Sequence, residues 1–157
     1  MEKFPMTKPG LINLEAELKN LKNVERPAVI RAIAEAREHG DLSENAEYHA
    51  AREKQSFIEG RVIELQAIIS HAEVIDTSKL SGDTVLFGAH VLLADEDTDE
   101  EVRYQIVGSH EADISNGLLP ITSPLARALI GKGAGDQVEV KTPAGDKGYE
   151  ICEVRFQ

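Results

Sequence analysis

Leu11, Leu14, Leu18 and Leu21 recur at alternating three- and four-residue spacing, and this pattern predicts the seam of a helical coiled coil. Thr7 stands where a helix cap belongs and Pro9 falls in the first turn, so the helix is expected to begin there. The seam loses phase at Pro27. Val29, Ile33 and Ala36 continue on a register shifted by one, which predicts a kink or short break at that proline. A second seam, Tyr48, Ala51, Gln55, Ile58, Val62, Leu65, Ile69 and Ala72, keeps the alternation unbroken. Between the two lies His39-Gly40-Asp41-Leu42-Ser43-Glu44-Asn45, in which Gly40 can end one helix and Asp41 or Ser43 can cap the next. The chain is therefore expected to fold back as a long antiparallel hairpin. Arms of about 30 residues at roughly 1.5 Å per residue reach on the order of 45 Å, a finger and not a globule.

Beyond Ile75 the period changes. The runs Thr84 to Leu93, Glu101 to Val107, Gln137 to Lys141 and Tyr149 to Phe156 are rich in β-branched residues with partial alternation, and read as strands. One short helix interrupts them, with Ser123 as cap, Pro124 at its first position, Leu125 to Ile130 as body and Gly131 as stop. The predicted class is α+β, with a coiled-coil hairpin over residues 1–75, a linker at 76–82 and a small β-rich domain over 83–157.

Composition narrows what this architecture can do. The chain has 157 residues and a formal net charge of −11, so it does not wrap nucleic acid through its overall field, and any such contact must be local. Aromatic residues make up 4% with no tryptophan, which leaves little material for a stacking platform or an aromatic-walled ligand pocket. No apolar run approaches the roughly 20 residues that span a bilayer, and the N-terminal segment lacks the apolar core of a secretion signal, so a cytoplasmic protein without membrane contact is expected. The single cysteine, Cys152, lies in a strand-like apolar stretch and reads as a buried thiol without a role.

Carboxylates concentrate between the helices at Glu38, Asp41, Glu44 and Glu47. Asp41 and Glu44 have the spacing of a capping box, and acids are favoured in a helix's first turn by its dipole. Against that reading stands their position, at the end of a finger far from any core. Two carboxylates suit a magnesium ion that keeps its remaining ligands as water or phosphate, but two alone bind weakly, so a partner must complete the site. Arg37 and Arg52 fall on opposite arms near the same end, either solvated and paired with nearby glutamates or forming a small basic patch for a phosphate chain. The acidic run Asp95 to Glu101 begins like a calcium loop but has Glu100 where glycine is required and Ile106 where a bidentate glutamate is required; it reads as a solvated hairpin turn. Gly131-Lys132-Gly133 follows a helix and precedes a strand, the reverse of a phosphate-binding loop, and reads as a turn. The histidines and serines have no spacing that marks a zinc site or a nucleophilic triad.

The stretch Ala36-Arg37-Glu38-His39-Gly40-Asp41-Leu42-Ser43-Glu44-Asn45-Ala46-Glu47-Tyr48 resembles the tip motif of the bacterial Gre transcript cleavage and elongation factors. The likeness extends through Pro5-Met6-Thr7, Arg26-Pro27, Phe57 to Arg61, Tyr104 to Gly108, Glu111 to Asp113 and Ser123 to Lys132. It implies a finger that enters the secondary channel of bacterial RNA polymerase and a C-terminal domain, FKBP-like in fold, docked on the channel rim. The factor would be no enzyme itself but would stimulate the polymerase's intrinsic cleavage of a backtracked RNA 3′ end. Asp41 and Glu44 would be the catalytic carboxylates, holding Mg²⁺ jointly with the polymerase. Arg37 and Arg52 would face the extruded RNA, Ser123 and Pro124 would lie on the docking surface, and a monomer is expected. Gly133 and Ala134 stand where the family pattern has acidic residues, and Gly148 where it has a larger one before the last strand; these departures fall in the docking domain.

Three other functions compete. A channel-binding antagonist would occupy the polymerase without cleavage, but has no need of the intact Asp-Leu-Ser-Glu-Asn tip. A peptidyl-prolyl isomerase would need aromatic walls that this composition does not supply. A plain coiled-coil scaffold leaves the tip unexplained.

Overall fold

The computed structural model describes residues 2–41 and 44–156. By its internal contacts the chain divides into two compact units, one formed by the residues up to Leu11 with those from Ala72 on, the other by Ile12–His71. The fold is α+β, as the change of period predicts.

The Ile12–His71 unit is the hairpin. Helix α1 spans Lys8–Asn20, a π-helical turn covers Leu21–Glu25, α2 spans Arg26–Arg37 and α3 spans Ala46–Ser70. The phase slip in the first seam is this π turn. Its wider turn absorbs the extra residue, so that Leu14 before it, Leu21 at its first position and Val29, Ile33 and Ala36 after it all end up buried. The break therefore lies before Pro27, not at it. Pro27 itself sits near the start of α2, where its missing N–H is tolerated. On the other arm Ile58, Val62, Leu65 and Ile68 are buried; Ile68 takes the position the spacing gave to Ile69, and Ala72 has left the helix. The flanks of the seam carry ion pairs between arms. Arg26 holds Glu59 through two hydrogen bonds at 2.8 and 2.7 Å, and Arg61 holds Glu17 at 2.7 and 2.9 Å. These bidentate pairs fix the register of the antiparallel arms.

The other unit is built on a five-stranded sheet. Its strands are β3 (His90–Asp95), β4 (Glu101–Val107), β5 (Leu118–Pro120), β6 (Gln137–Thr142) and β7 (Gly145–Arg155), in the order β5-β4-β3-β7-β6. All pairs are antiparallel except β4 with β5. Helix α4 (Pro124–Leu129) lays Ala126 and Leu129 into the core formed by Val85, Val91, Leu93, Ile106 and Ile151. Thr84, expected to open a strand, makes only an isolated bridge to Gly133.

Two further strands escape the sequence pattern. Strand β1 (Phe4–Met6) pairs in parallel with β2 (Ala72–Val74), and buries Met6. The chain's first residues thus join the C-terminal unit instead of the hairpin to which the 1–75 span assigns them, because a three-residue strand has too few positions to display a period and its partner lies far along the sequence. The 76–82 linker holds a 3₁₀ turn, Thr77–Lys79, whose cap is the Asp76 carboxylate accepting from the Ser78 N–H at 3.0 Å.

Two local expectations are corrected. Cys152 is exposed on β7, because the strand turns that side of its alternation outward. Asp95 is not solvated: it is 7% exposed at the inward-facing end of β3. Its carboxylate accepts from the N–H of Asp97 at 2.9 Å and of Thr98 at 3.4 Å, and Lys147 Nζ lies 3.1 Å away. The Asp97 N–H and then Lys147 hold the carboxyl below its ordinary value of 3.8. A depressed folded-state pKa stabilises the fold above the unfolded value, and that contribution disappears as pH falls through the folded one. Asp95→Asn is therefore expected to lower the melting temperature at neutral pH, and its difference from the parent to shrink as pH falls below the unfolded-state value and through the folded one. Parallel curves across that range would show that Asp95 does not contribute through its charge.

Candidate functional site

Helix α2 closes at Arg37, and Glu38 and His39 continue as a turn with N–H groups reaching back to Glu35 and Ala36 carbonyls at 3.1 Å. Gly40 then takes φ = 114°, a left-handed conformation that L side chains rarely adopt, and reverses the chain. Helix α3 starts at Ala46, and its cap is Asn45. The Asn45 side-chain oxygen accepts from the Tyr48 N–H at 3.0 Å, while its amide nitrogen donates to the Ala36 carbonyl at 2.6 Å. One side chain thus closes the start of one arm and ties it to the end of the other.

This overturns the capping-box reading, since Asp41 is not the residue that caps α3. The alternative cap, Ser43, and Leu42 lie outside the described residues. Asp41 and Glu44 are both exposed and line one open depression with His39, Asn45, Ala46 and Glu47. Glu38 and Glu47 add two more exposed carboxylates beside it, with Glu47 in the first turn of α3 where the helix dipole favours negative charge. Among the described residues no group of three or more histidine, cysteine, aspartate or glutamate side chains could hold a metal. The Asp41 and Glu44 carboxylates nevertheless fit a magnesium ion as a half-site, because that ion is commonly bound by one or two carboxylates and completed by water and phosphate.

Next to the acids lies a region of opposite sign. Arg37, from the end of α2, and Arg52, from the second turn of α3, both approach the same aromatic ring: their guanidinium carbons lie 5.9 and 6.0 Å from the centroid of Tyr48. Arg52 Nη1 also donates to the Tyr48 phenol oxygen at 3.2 Å. Arg37 first and then Arg52 hold the phenol below its ordinary value of 10.0. The two arginines also line a shallow groove with Ile30, Ile33, Ala34 and Gln55. Arg37 and Arg52 thus lie at one end of the two arms, as their places in the sequence suggest; Asn45 lacks the glutamate or glutamine three residues on that marks a capping box, and Tyr48 fits the apolar seam equally well.

In the other unit, Ser123 and Pro124 begin α4. The Ser123 oxygen accepts from the Ala126 N–H at 3.2 Å, and Pro124 is exposed. Gly131, at φ = 85°, ends that helix's run, and Gly133 and Ala134 form the following turn, where the Gly133 N–H donates to Asp136 at 2.8 Å. Gly148 lies within β7, not before it, and a Cβ there would come within 2.4 Å of a Glu96 oxygen. Among the described residues no helix is long and apolar enough to cross a membrane.

Comparison with known proteins covers the chain from end to end. A family model described as the N-terminal part of a transcription elongation factor matches residues 4–74, and one for the GreA/GreB C-terminal part matches residues 80–156. Transcription elongation factor GreA of Acidiphilium cryptum is 71% identical over 156 residues, 99% of either chain, and that of Rhodospirillum rubrum is 67% identical over the same coverage. Among solved structures, a GreA/GreB elongation factor from Nitrosomonas europaea is 23% identical, covering 98% of this chain and 99% of that one, with a TM-score of 0.43. The GreA factor homologue Gfh1 of Thermus thermophilus is 24% identical over 98% and 99%, with a TM-score of 0.44.

Proposed function

The chain belongs to the GreA/GreB transcription elongation factor family, and from that premise we propose that its hairpin enters the secondary channel of RNA polymerase and lends Asp41 and Glu44 to cleavage of an extruded RNA 3′ end. The observation that carries this reading is that Asn45 caps helix α3, so the two exposed carboxylates at the hairpin end are not the helix's own cap.

The polymerase performs the hydrolysis and the factor completes its active centre. Asp41 and Glu44 would hold Mg²⁺ jointly with the polymerase, and such an ion, when bound, lowers the pKa of a coordinated water and neutralises charge on the phosphate oxygens. The carboxylates also accept hydrogen bonds, and so can orient the water that attacks phosphorus as the bond to the 3′ oxygen breaks. Arg37 and Arg52 neutralise phosphates of the extruded strand, a local contact that an acidic protein can make without binding nucleic acid through its overall field. Ser123 and Pro124 belong to the surface that docks outside the channel.

Stalled bacterial elongation complexes with an extruded RNA 3′ end, supplied with Mg²⁺, test the reading directly. Addition of the protein is expected to accelerate release of the 3′ fragment. A protein that binds the polymerase and slows elongation without accelerating release would be an antagonist, and the proposal would fall.

A further inference from the structure

Most cations that bridge the arms of the hairpin meet carboxylates: Arg26 faces Glu59, Arg61 faces Glu17, and Lys54 approaches Glu25 at 3.9 Å. Arg37 and Arg52 are held differently. The group between them is the ring of half-buried Tyr48, at 5.9 and 6.0 Å, and its phenol oxygen, 3.2 Å from Arg52. The difference has a chemical consequence. A carboxylate would orient the guanidiniums and cancel their charge, whereas a neutral ring attracts them through its negative face and leaves both charges in place. Both guanidiniums are thereby referred to the ring of one residue, so a single side chain can set where both charges stand. Tyr48 is well placed to do so. Its backbone N–H is fixed by Asn45, whose amide is fixed in turn by the Ala36 carbonyl beside Arg37, and Arg52 lies one turn further along the same face of α3.

We propose that Tyr48 is a positioning residue which holds the Arg37 and Arg52 guanidiniums to one ring, so that the two arms present a joint cationic site to the phosphates of the extruded RNA. This rests on the reading of the hairpin as a cleavage-stimulating finger, and adds a residue whose task is to orient the cations without contacting RNA. The depressed titration of the phenol is the isolated protein's own signature of this arrangement.

Two measurements test it. In the protein alone, the phenolate absorbance of the three tyrosines is titrated, and one of them is expected to titrate higher in Arg37→Ala/Arg52→Ala than in the parent. In stalled complexes, fragment release is followed against factor concentration for the parent, Tyr48→Phe, Tyr48→Leu, Arg37→Ala/Arg52→Ala and the triple variant Arg37→Ala/Tyr48→Leu/Arg52→Ala. Tyr48→Leu is expected to raise the concentration giving half-maximal stimulation about 5- to 10-fold while preserving the rate at saturation, which the acids set. Tyr48→Phe, which keeps the ring, should fall between Tyr48→Leu and the parent. In the background lacking both arginines, Tyr48→Leu should change nothing further. A loss additive with that of the arginines, or a reduced saturating rate at unchanged half-maximal concentration, would overturn the proposal. So would a Tyr48→Leu protein equal to an active parent, which leaves the functional reading standing. An inactive parent sinks the functional reading, and the RNA site with it.

Discussion

Asp41→Asn combined with Glu44→Gln is expected to reduce stimulated cleavage on the order of 10²–10³-fold, the scale of losing one pre-organised electrostatic group, with no measurable change in melting temperature. Both substitutions preserve size, remove the charge and exchange one acceptor oxygen for an NH2 donor. The fold does not depend on that charge for its helix end, since Asn45 closes α3 from Ala46 onward and Glu47 supplies the acid of the first turn. The proposed reaction, on the other hand, would need anionic oxygens to share a divalent ion, and an amide is a poor ligand for magnesium. Binding to the polymerase should persist, because nothing in the C-terminal unit changes, so the variant should compete with the parent and inhibit it. Two results would break the argument. Full activity would show that the carboxylates are not donors, and a collapse of the melt would return them to a structural role. The single changes separate the two acids: if both sit on one ion, each alone should cost nearly as much as the pair, since the site fails when either ligand is neutral.

The local turns and arms of the candidate site are legible in the sequence and parts of the fold are not, and the difference follows from the range of the interactions involved. Seams at three- and four-residue spacing are local, and Leu14, Leu21, Ile58, Val62 and Leu65 are buried as their period requires. Gly40 and Gly131 both adopt positive φ at helix ends, again a local requirement. The phase slip is visible at Val29 but points to Pro27, because a proline is a conspicuous cause of a break and a π turn has no residue signature of its own. The spacing points to Asp41 or Ser43 as the cap for a similar reason: Asp41 and Glu44 match a capping box, while Asn45 closes the helix without the matching residue at its third position. What could not be read was non-local. That Arg37 and Arg52 share one ring depends on the register of the two arms, set by pairs such as Arg26 with Glu59 and Arg61 with Glu17. Strand β1 is defined only by its partner β2, and Asp95 is buried only because Lys147 and two backbone N–H groups from the following turn are there to receive it.

Gly108→Ala is expected to destabilise the C-terminal unit by about 2.5–4 kcal/mol, although it adds a single methyl group. A Cβ at Gly108 would stand 2.0 Å from the Pro5 carbonyl oxygen, a backbone atom that no rotamer change can move away. One of the two chains must shift, and the shift reaches a tightly shared set of bonds. The Glu111 carboxylate accepts from the Gly108 N–H at 2.9 Å, from the Thr7 N–H at 2.8 Å and from the Thr7 hydroxyl at 2.5 Å. The Thr7 oxygen in turn receives the Gly10 N–H at 3.2 Å and so caps the first turn of α1. Releasing β1 uncovers Met6, which is 1% exposed, at a cost of about 1.5–3 kcal/mol, and loses a helix cap worth about 1 kcal/mol. Gly60→Ala is the matching control. It lies in the interior of α3 with nothing within 4 Å of an added Cβ, and should stabilise the hairpin by about 1 kcal/mol through helix propensity alone. Urea melts of both variants, with amide hydrogen exchange followed over residues 4–11, would separate the effects: Gly108→Ala should lose protection in β1 and the first turn of α1, and Gly60→Ala should not. If Gly108→Ala melts like the parent and keeps those amides protected, the turn can yield to a methyl group and the close approach of Gly108 to Pro5 is not what holds the N-terminal strand in place.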